Sequence, residues 1–297
     1  MAFYRQDPEM AYRLKGLLDR LEKEGRPNLQ DNIAITCIRY ENQEPLALSG
    51  YGTGWNSNRN YYPASVVKIV YALATKIWLQ KDLIVDSDEL KRALHEMIAN
   101  SNNDATSYIL DLLTGTTSGP SLNEQNYKAW KIQRNSINSW LKDLHWPEIK
   151  QWNCCQKTWG EGPFGREKDF YGKKNQNRNR MTTDGSARIF ESLMTHEMLP
   201  KLASNNLIKV FQRSLDPVSR KKNPENQVDG FLGEGLPLSS NLWSKAGLMS
   251  EVRHDVAWWK APNKNPMLAV VFSTGKELVR DQFLLPAISS ELNKLAI

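Results

Sequence analysis

The sequence is poor in the residues that mark special classes of protein. Of its 297 residues only three are cysteine, 14 proline and 17 glycine. That excludes a disulfide-stapled mini-protein, a collagen-like chain and a long disordered tract. The opening segment MAFYRQDPE lacks the basic start and apolar run of a secretory signal. The chain therefore reads as cytoplasmic, and would read as periplasmic only if the true start lay upstream of a signal peptide. No stretch approaches the roughly 18 consecutive apolar residues of a membrane span. Cys37, Cys154 and Cys155 are odd in number and miss every CxxC or CxxH spacing, so reduced thiols are expected, with no metal and no other cofactor. The surplus of 39 basic over 33 acidic side chains is too small to argue for a nucleic-acid partner. The 40% of hydrophobic residues suffices for a sizeable core, in one large domain or two lobes.

Met10, Leu14, Leu17, Leu18 and Leu21 recur at helical spacing, predicting an amphipathic helix over residues 8–25. A strand over 33–37, a turn at Glu41–Pro45 and a second strand over 46–51 follow. Helices are predicted over 65–80, 88–99, 104–113, 130–144 and 183–194, with further helical material to about Leu215. Strands over 242–246, 252–259 and 267–273 precede a helix over 281–295. Five tryptophans (130, 140, 146, 152 and 159) crowd the less regular middle, where packing is their simplest role. This order describes an α/β protein of the α+β type. A five-stranded antiparallel sheet, flanked by the terminal helices, draws on both chain ends (1–64 and 216–297), and a mainly helical lobe spans 65–215.

Serine acylation needs a hydroxyl, a base within hydrogen-bond reach and donors aimed at the developing oxyanion. Ser65 and Lys68 lie three apart at a helix start, on one face and near unpaired backbone N–H groups. Three other SxxK matches occur, at Ser139/Lys142, Ser219/Lys222 and Ser273/Lys276, so the spacing alone decides nothing. Context separates the first, because only it opens an apolar helix entered from a hairpin. A helix cap with a snorkelling lysine is the alternative. Ser101-Asn102-Asn103 stands between two helices, where serine can relay a proton and asparagine can hold a carbonyl, or where both simply cap. Lys245-Ala246-Gly247 lies on a strand, offering a cation beside a residue that permits close backbone approach. An edge lysine that discourages aggregation is the alternative there.

In this order the segments YYPASVVKIV, LHEMIANSNNDATSYILDLL, RMTTDGSARIF and SKAGLMSEVRHDVAWW resemble the penicillin-recognising serine hydrolases, most closely the class A β-lactamase-like branch. The resemblance covers most of residues 30–297. It implies Ser65 as nucleophile, Lys68 as base or proton relay and Ser101 as proton shuttle to the leaving group. Asn103 would hold a substrate amide. Lys245 would attract a substrate carboxylate and help depress the Lys68 pKa, and the N–H groups of Ser65 and Leu248, beside Gly247, would form the oxyanion hole. Arg253 lies near the family's carboxylate-binding arginine, at an unusual spacing. Three departures stand out. Ala246 replaces the usual Thr or Ser, Asn102 replaces the central Asp, and no ExxLN segment supplies the deacylating glutamate, leaving Glu161 and Glu167 as the nearby carboxylates. The resemblance implies β-lactamase-like hydrolysis of a small β-lactam, amide or ester, its substrate bearing a carboxylate, in a monomer or dimer. A glutaminase-like, DD-peptidase or esterase activity on the same fold is the enzymatic alternative. A penicillin-binding or ligand-binding protein without turnover is the other.

Overall fold

The computed structural model describes residues 3–297; Met1 and Ala2, the start of the segment tested for a signal, lie outside the described residues. Two compact units divide the chain, Met1–Val66 with Thr182–Ile297, and Val67–Met181. Among the described residues no helix is long and apolar enough to cross a membrane.

The first unit is built on a mixed sheet of seven strands: β1 (Arg5–Gln6), β2 (Ile33–Arg39), β3 (Tyr51–Trp55), β4 (Gln212–Arg213), β5 (Asn241–Met249), β6 (Val252–Lys260) and β7 (Met267–Thr274). Their order is β1-β3-β2-β7-β6-β5-β4. The five long strands pair antiparallel, as the sequence pattern predicts. The sheet nonetheless has seven strands, because β1 runs parallel to β3 and β4 adds to the opposite edge. Two residues are too few to leave an alternation in sequence.

The second strand is displaced from the predicted 46–51 to Tyr51–Trp55. Leu46 and Leu48 are exposed, and Leu48 has a φ of 64° that no strand tolerates. In the true strand, a Cβ on Gly52 would lie 2.4 Å from the Cys37 carbonyl oxygen of β2, so glycine is required and the hydrophobic alternation is lost.

The helix Pro8–Lys23 starts where the Asp7 carboxylate accepts from the Met10 N–H at 3.1 Å, with proline at the first turn. Its five apolar side chains join Ile33, Ile35, Cys37, Ala257, Trp259, Met267, Ala269 and Val271 in one core on one face of the sheet. Each such buried aliphatic side chain contributes roughly 1.5–3 kcal/mol. The C-terminal helix predicted over 281–295 is Leu284–Asn293, and a short helix Lys276–Arg280 that the sequence pattern did not place precedes it; between them the Asp281 carboxylate accepts from the Phe283 N–H. The helices Thr183–Met194 and Lys201–Phe211 also belong to this unit instead of the helical lobe expected to reach 215, the former packing on β2, β6 and β7 and the latter on β5.

In the second unit the almost wholly buried helix Lys68–Gln80 packs with Asp88–Ala99 and Asn103–Thr114. The helix predicted over 130–144 is interrupted at Asn135, where Glu124–Arg134 gives way to Ser136–Asp143 and the Asn135 amide donates to the Lys131 carbonyl. Trp78 meets Trp140 edge-on and Trp130 meets Phe170, so these indoles serve packing.

Candidate active site

In the helical unit, the helix Asp88–Ala99 ends and Ser101 takes a φ of 54°, turning the chain into the next helix. Asn102 caps that helix, its side chain accepting from Ala105 N–H at 2.8 Å. The left-handed turn directs a cluster of oxygens at one point. Lys68 Nζ donates to the Ser101 carbonyl at 2.5 Å, Ser101 Oγ at 3.2 Å, the Asn102 carbonyl at 3.5 Å and Asn103 Oδ1 at 2.9 Å. Lys68 is fully buried, and that desolvation lowers its pKa from 10.5 to about 7. The depression expected from a neighbouring cation thus arises from burial. Non-Gly residues at positive φ are costly and gather at functional sites; Ser101 is one such residue.

Ala64, at φ 46°, is another. It opens the 3-10 turn Ala64–Val67 that carries half-buried Ser65 and runs straight into the helix Lys68–Gln80. In the α/β unit this turn lies against β5. A Cβ on Gly247 would sit 2.8 Å from the Pro63 carbonyl oxygen, 3.1 Å from Val66 Cγ2 and 3.3 Å from the Ser65 nitrogen. Glycine is what lets the Ser65 backbone approach the strand. The outer edge of β5 is covered by β4 only at Leu242 and Trp243. Farther along, Ser244 O accepts from Arg213 and Ala246 N–H donates to Gln227 Oε1 at 3.0 Å. Alternate residues of a strand aim their N–H and C=O at the same edge. Leu248, two beyond Ala246, therefore turns its N–H outward on the side away from β6.

Lys245 is also fully buried, its Nζ donating to Gln227 Oε1 at 2.6 Å and to the Ala246 carbonyl at 2.7 Å. Asp255, opposite Ala246 on β6, has its pKa raised to about 7 by burial, against the pull of the Leu232 N–H, Lys245 and Arg213.

Arg253 does not share this face. It pairs with Leu248, one register step from the Gly247–His254 pair, and points to the opposite side of the sheet. There its guanidinium donates to the Val279 and Gly230 carbonyls at 2.9 and 3.0 Å and stacks on Phe231. Glu161 lies exposed in a loop. Glu167, on the helix Gly165–Tyr171, is fully buried but engaged, accepting from Arg134 at 2.6 Å and Ser118 at 2.9 Å. Neither carboxylate figures in the perturbation of Lys68. Two residues with no signal in the sequence join the clusters instead: Gln227 on Lys245, and Thr158, whose hydroxyl donates to Asn103 Oδ1 at 2.8 Å. Among the described residues no group of three His, Cys, Asp or Glu side chains could hold a metal ion.

No match was found among curated protein sequences. Among solved structures, a β-lactamase from Sphaerobacter thermophilus DSM 20745 superposes with a TM-score of 0.64 at 14% identity, over 95% of each chain. One from Xanthomonas campestris pv. campestris gives 0.61 at 16% identity, over 95% of this chain and 97% of that one. One from Streptosporangium roseum gives 0.63 at 14% identity, over 96% and 98%. These likenesses establish the fold. The model of the beta-lactamase enzyme family matches residues 86–295, a span that takes in Ser101, Asn103 and Lys245 and begins after the Ser65 turn. With most of its length matched by that model, the chain belongs to the beta-lactamase enzyme family.

Proposed function

We propose that this β-lactamase-like hydrolase works through a Ser65 acyl-enzyme, cleaving β-lactams or related amides and esters. The observation that carries the reading is Lys68. It is a fully buried amine brought near neutrality by desolvation, ringed by Ser101 and Asn103, and three residues beyond a serine held in a left-handed-entry turn. A base poised near the working pH is what general-base removal of the serine proton requires. The neutral amine takes the Ser65 proton as Oγ attacks the carbonyl carbon. Ser65 and Leu248 N–H groups receive the oxyanion, and Ser101 returns the proton to the departing nitrogen or oxygen. Lys245, whose buried amine donates to Gln227 and the Ala246 carbonyl, draws in an anionic substrate.

A second reading, acylation with slow release, is favoured by Glu167, whose carboxylate is committed to Arg134 and Ser118 and so is poorly placed to activate water. One experiment covers both. The protein is incubated with a fluorescent penicillin and with an activated fluorophosphonate, and its intact mass is followed. An adduct lost in Ser65→Ala supports the acyl-enzyme, and no adduct from either probe on folded protein defeats it. Decay of the penicillin adduct within minutes marks turnover, while persistence marks a penicillin-binding protein.

A further inference from the structure

Asn103 Oδ1 accepts two hydrogen bonds, from Lys68 Nζ at 2.9 Å and from Thr158 Oγ1 at 2.8 Å. A protonated lysine can only donate, so the atom facing it must be the amide oxygen. The Asn103 NH2 is thereby turned the other way, and its residue is only half-buried. Thr158 itself is 5% exposed. The Cys155 and Gln156 N–H groups both donate to Asn179 Oδ1, and the Gln156 carbonyl accepts from the Tyr71 hydroxyl at 2.6 Å, one helical turn from Lys68. On its other side, Lys157 is tied to Asp111 at 2.6 Å and to Ser118. The same helix that carries Lys68 thus anchors the segment that carries Thr158.

Resting on the acyl-enzyme reading above, we propose that Thr158 is a positioning residue, fixing the Asn103 amide with its oxygen inward and its NH2 outward to donate to a substrate carbonyl. The need for it follows from the chemistry. While Lys68 is charged, its ammonium alone holds the oxygen inward. When Lys68 is neutral and able to act as base, its lone pair can accept from the Asn103 NH2, and the amide is free to flip. The Thr158 hydroxyl supplies the donor that opposes the flip in the reactive state. Of the charged groups beside the cluster in this unit, Lys157 is turned to Asp111 and Ser118, and Asp104 is exposed on the helix Asn103–Thr114.

The test compares Thr158→Val, which keeps the shape and removes the hydroxyl, with Thr158→Ser, which restores it. Acylation by fluorophosphonate and penicillin is measured from pH 6 to 9, together with thermal unfolding and the NMR titration of the Lys68 side chain. One neutral hydrogen bond corresponds to up to about tenfold, so the valine variant is expected to lose about tenfold at pH 8–9 and less than about threefold at pH 6. Its Lys68 midpoint should fall, because a flipped amide favours the neutral amine, and serine should restore both. A loss uniform in pH, an unmoved Lys68 midpoint or failure of serine to rescue overturns the proposal. Absence of Ser65 labelling in the parent protein removes the hydrolase reading instead, and the Lys68 titration then decides the role of Thr158 alone.

Discussion

Replacing Gly247 by alanine tests the geometry of the Ser65 turn most directly. The strand backbone at this position is ordinary, so alanine brings no conformational penalty of its own. Its new methyl would press on the Pro63 carbonyl oxygen at 2.8 Å, on Val66 Cγ2 at 3.1 Å and on the Ser65 nitrogen at 3.3 Å. Val66 can rotate, but the Pro63 carbonyl is fixed because it accepts from the Val66 N–H at 3.1 Å and is followed by left-handed Ala64. The turn must shift by a few tenths of an ångström. Overpacking of this kind costs about 1–3 kcal/mol of stability. The kinetic effect should be larger, since losing one oxyanion donor costs about 10²–10³ in rate, and a displaced Ser65 N–H should forfeit at least about tenfold of that. Gly233→Ala is the control, for its methyl would strike Leu242 Cδ2 at 2.5 Å in the core, away from Ser65. The assay is the acylation rate per folded molecule, with unfolding measured in parallel. Gly233→Ala should lose stability alone, and Gly247→Ala should lose both. If the Gly247 variant acylates at the parental rate, or falls no further than the control, the assignment of Ser65 N–H to an oxyanion hole beside β5 is wrong.

Other outcomes follow from the charged groups. Acylation should rise with pH through about 7, because Lys68 must shed its proton to act as base and burial lowers its pKa to about that value; a flat profile from pH 5 to 9 would refute the role. The same shift bears on stability. Between about 7 and the unperturbed 10.5 the unfolded chain binds a proton at Lys68 that the folded one lacks, so stability gains up to about 1.4 kcal/mol per pH unit across that window. Urea unfolding should show the parent gaining on Lys68→Met between pH 7.5 and 10, whatever the constant offset from the lost hydrogen bonds. Glu167→Gln should destabilise by about 3 kcal/mol, near the lower end for breaking a buried ion pair because Asp111 still meets Arg134 at 3.0 Å, and should leave the adduct lifetime unchanged; a lengthened lifetime at full stability would restore it as a deacylating base. Arg253→Ala should lower the unfolding midpoint through the two carbonyls it abandons, yet leave the KM for carboxylate-bearing substrates unaltered.

How much of this was legible in the sequence depends on whether the signal was local. Period-3.6 and period-2 patterns placed most of the long helices and four of the five long strands, since each pattern reports which face of its own segment is buried. The Gly52-Thr53-Gly54 strand was misplaced because its glycines answer to close approach, by β2 at Gly52 and by Ser57 and Tyr4 at Gly54, and carry no hydrophobicity. Lys68 was distinguished from three other SxxK lysines by the apolar helix it lies in, which is almost wholly buried in the structure and takes Lys68 out of water with it. Thr158 and Gln227 reach their partners across 55 and 18 positions through irregular chain, and nothing local marks either.

The face of Arg253 is recoverable from the hairpin alone. Met249 pairs with Val252 across the two residues Ser250 and Glu251, and a two-residue turn fixes the register of the whole hairpin. Counting back from that turn sets Arg253 opposite Leu248 and His254 opposite Gly247. Since directly opposed side chains share a face, Arg253 must leave the side of Lys245 and Gly247 for that of Ala246 and Asp255. The resemblance suggested a carboxylate-binding arginine, at an unusual spacing; register across the hairpin puts its side chain on the other face. With Ala246 offering no hydroxyl and Arg253 spent on two backbone carbonyls, the proposed mechanism leaves the attraction of a substrate carboxylate to Lys245. Lys245→Met should therefore abolish the preference for anionic over neutral esters, and a preference that survives the substitution would mean that another cation does this work.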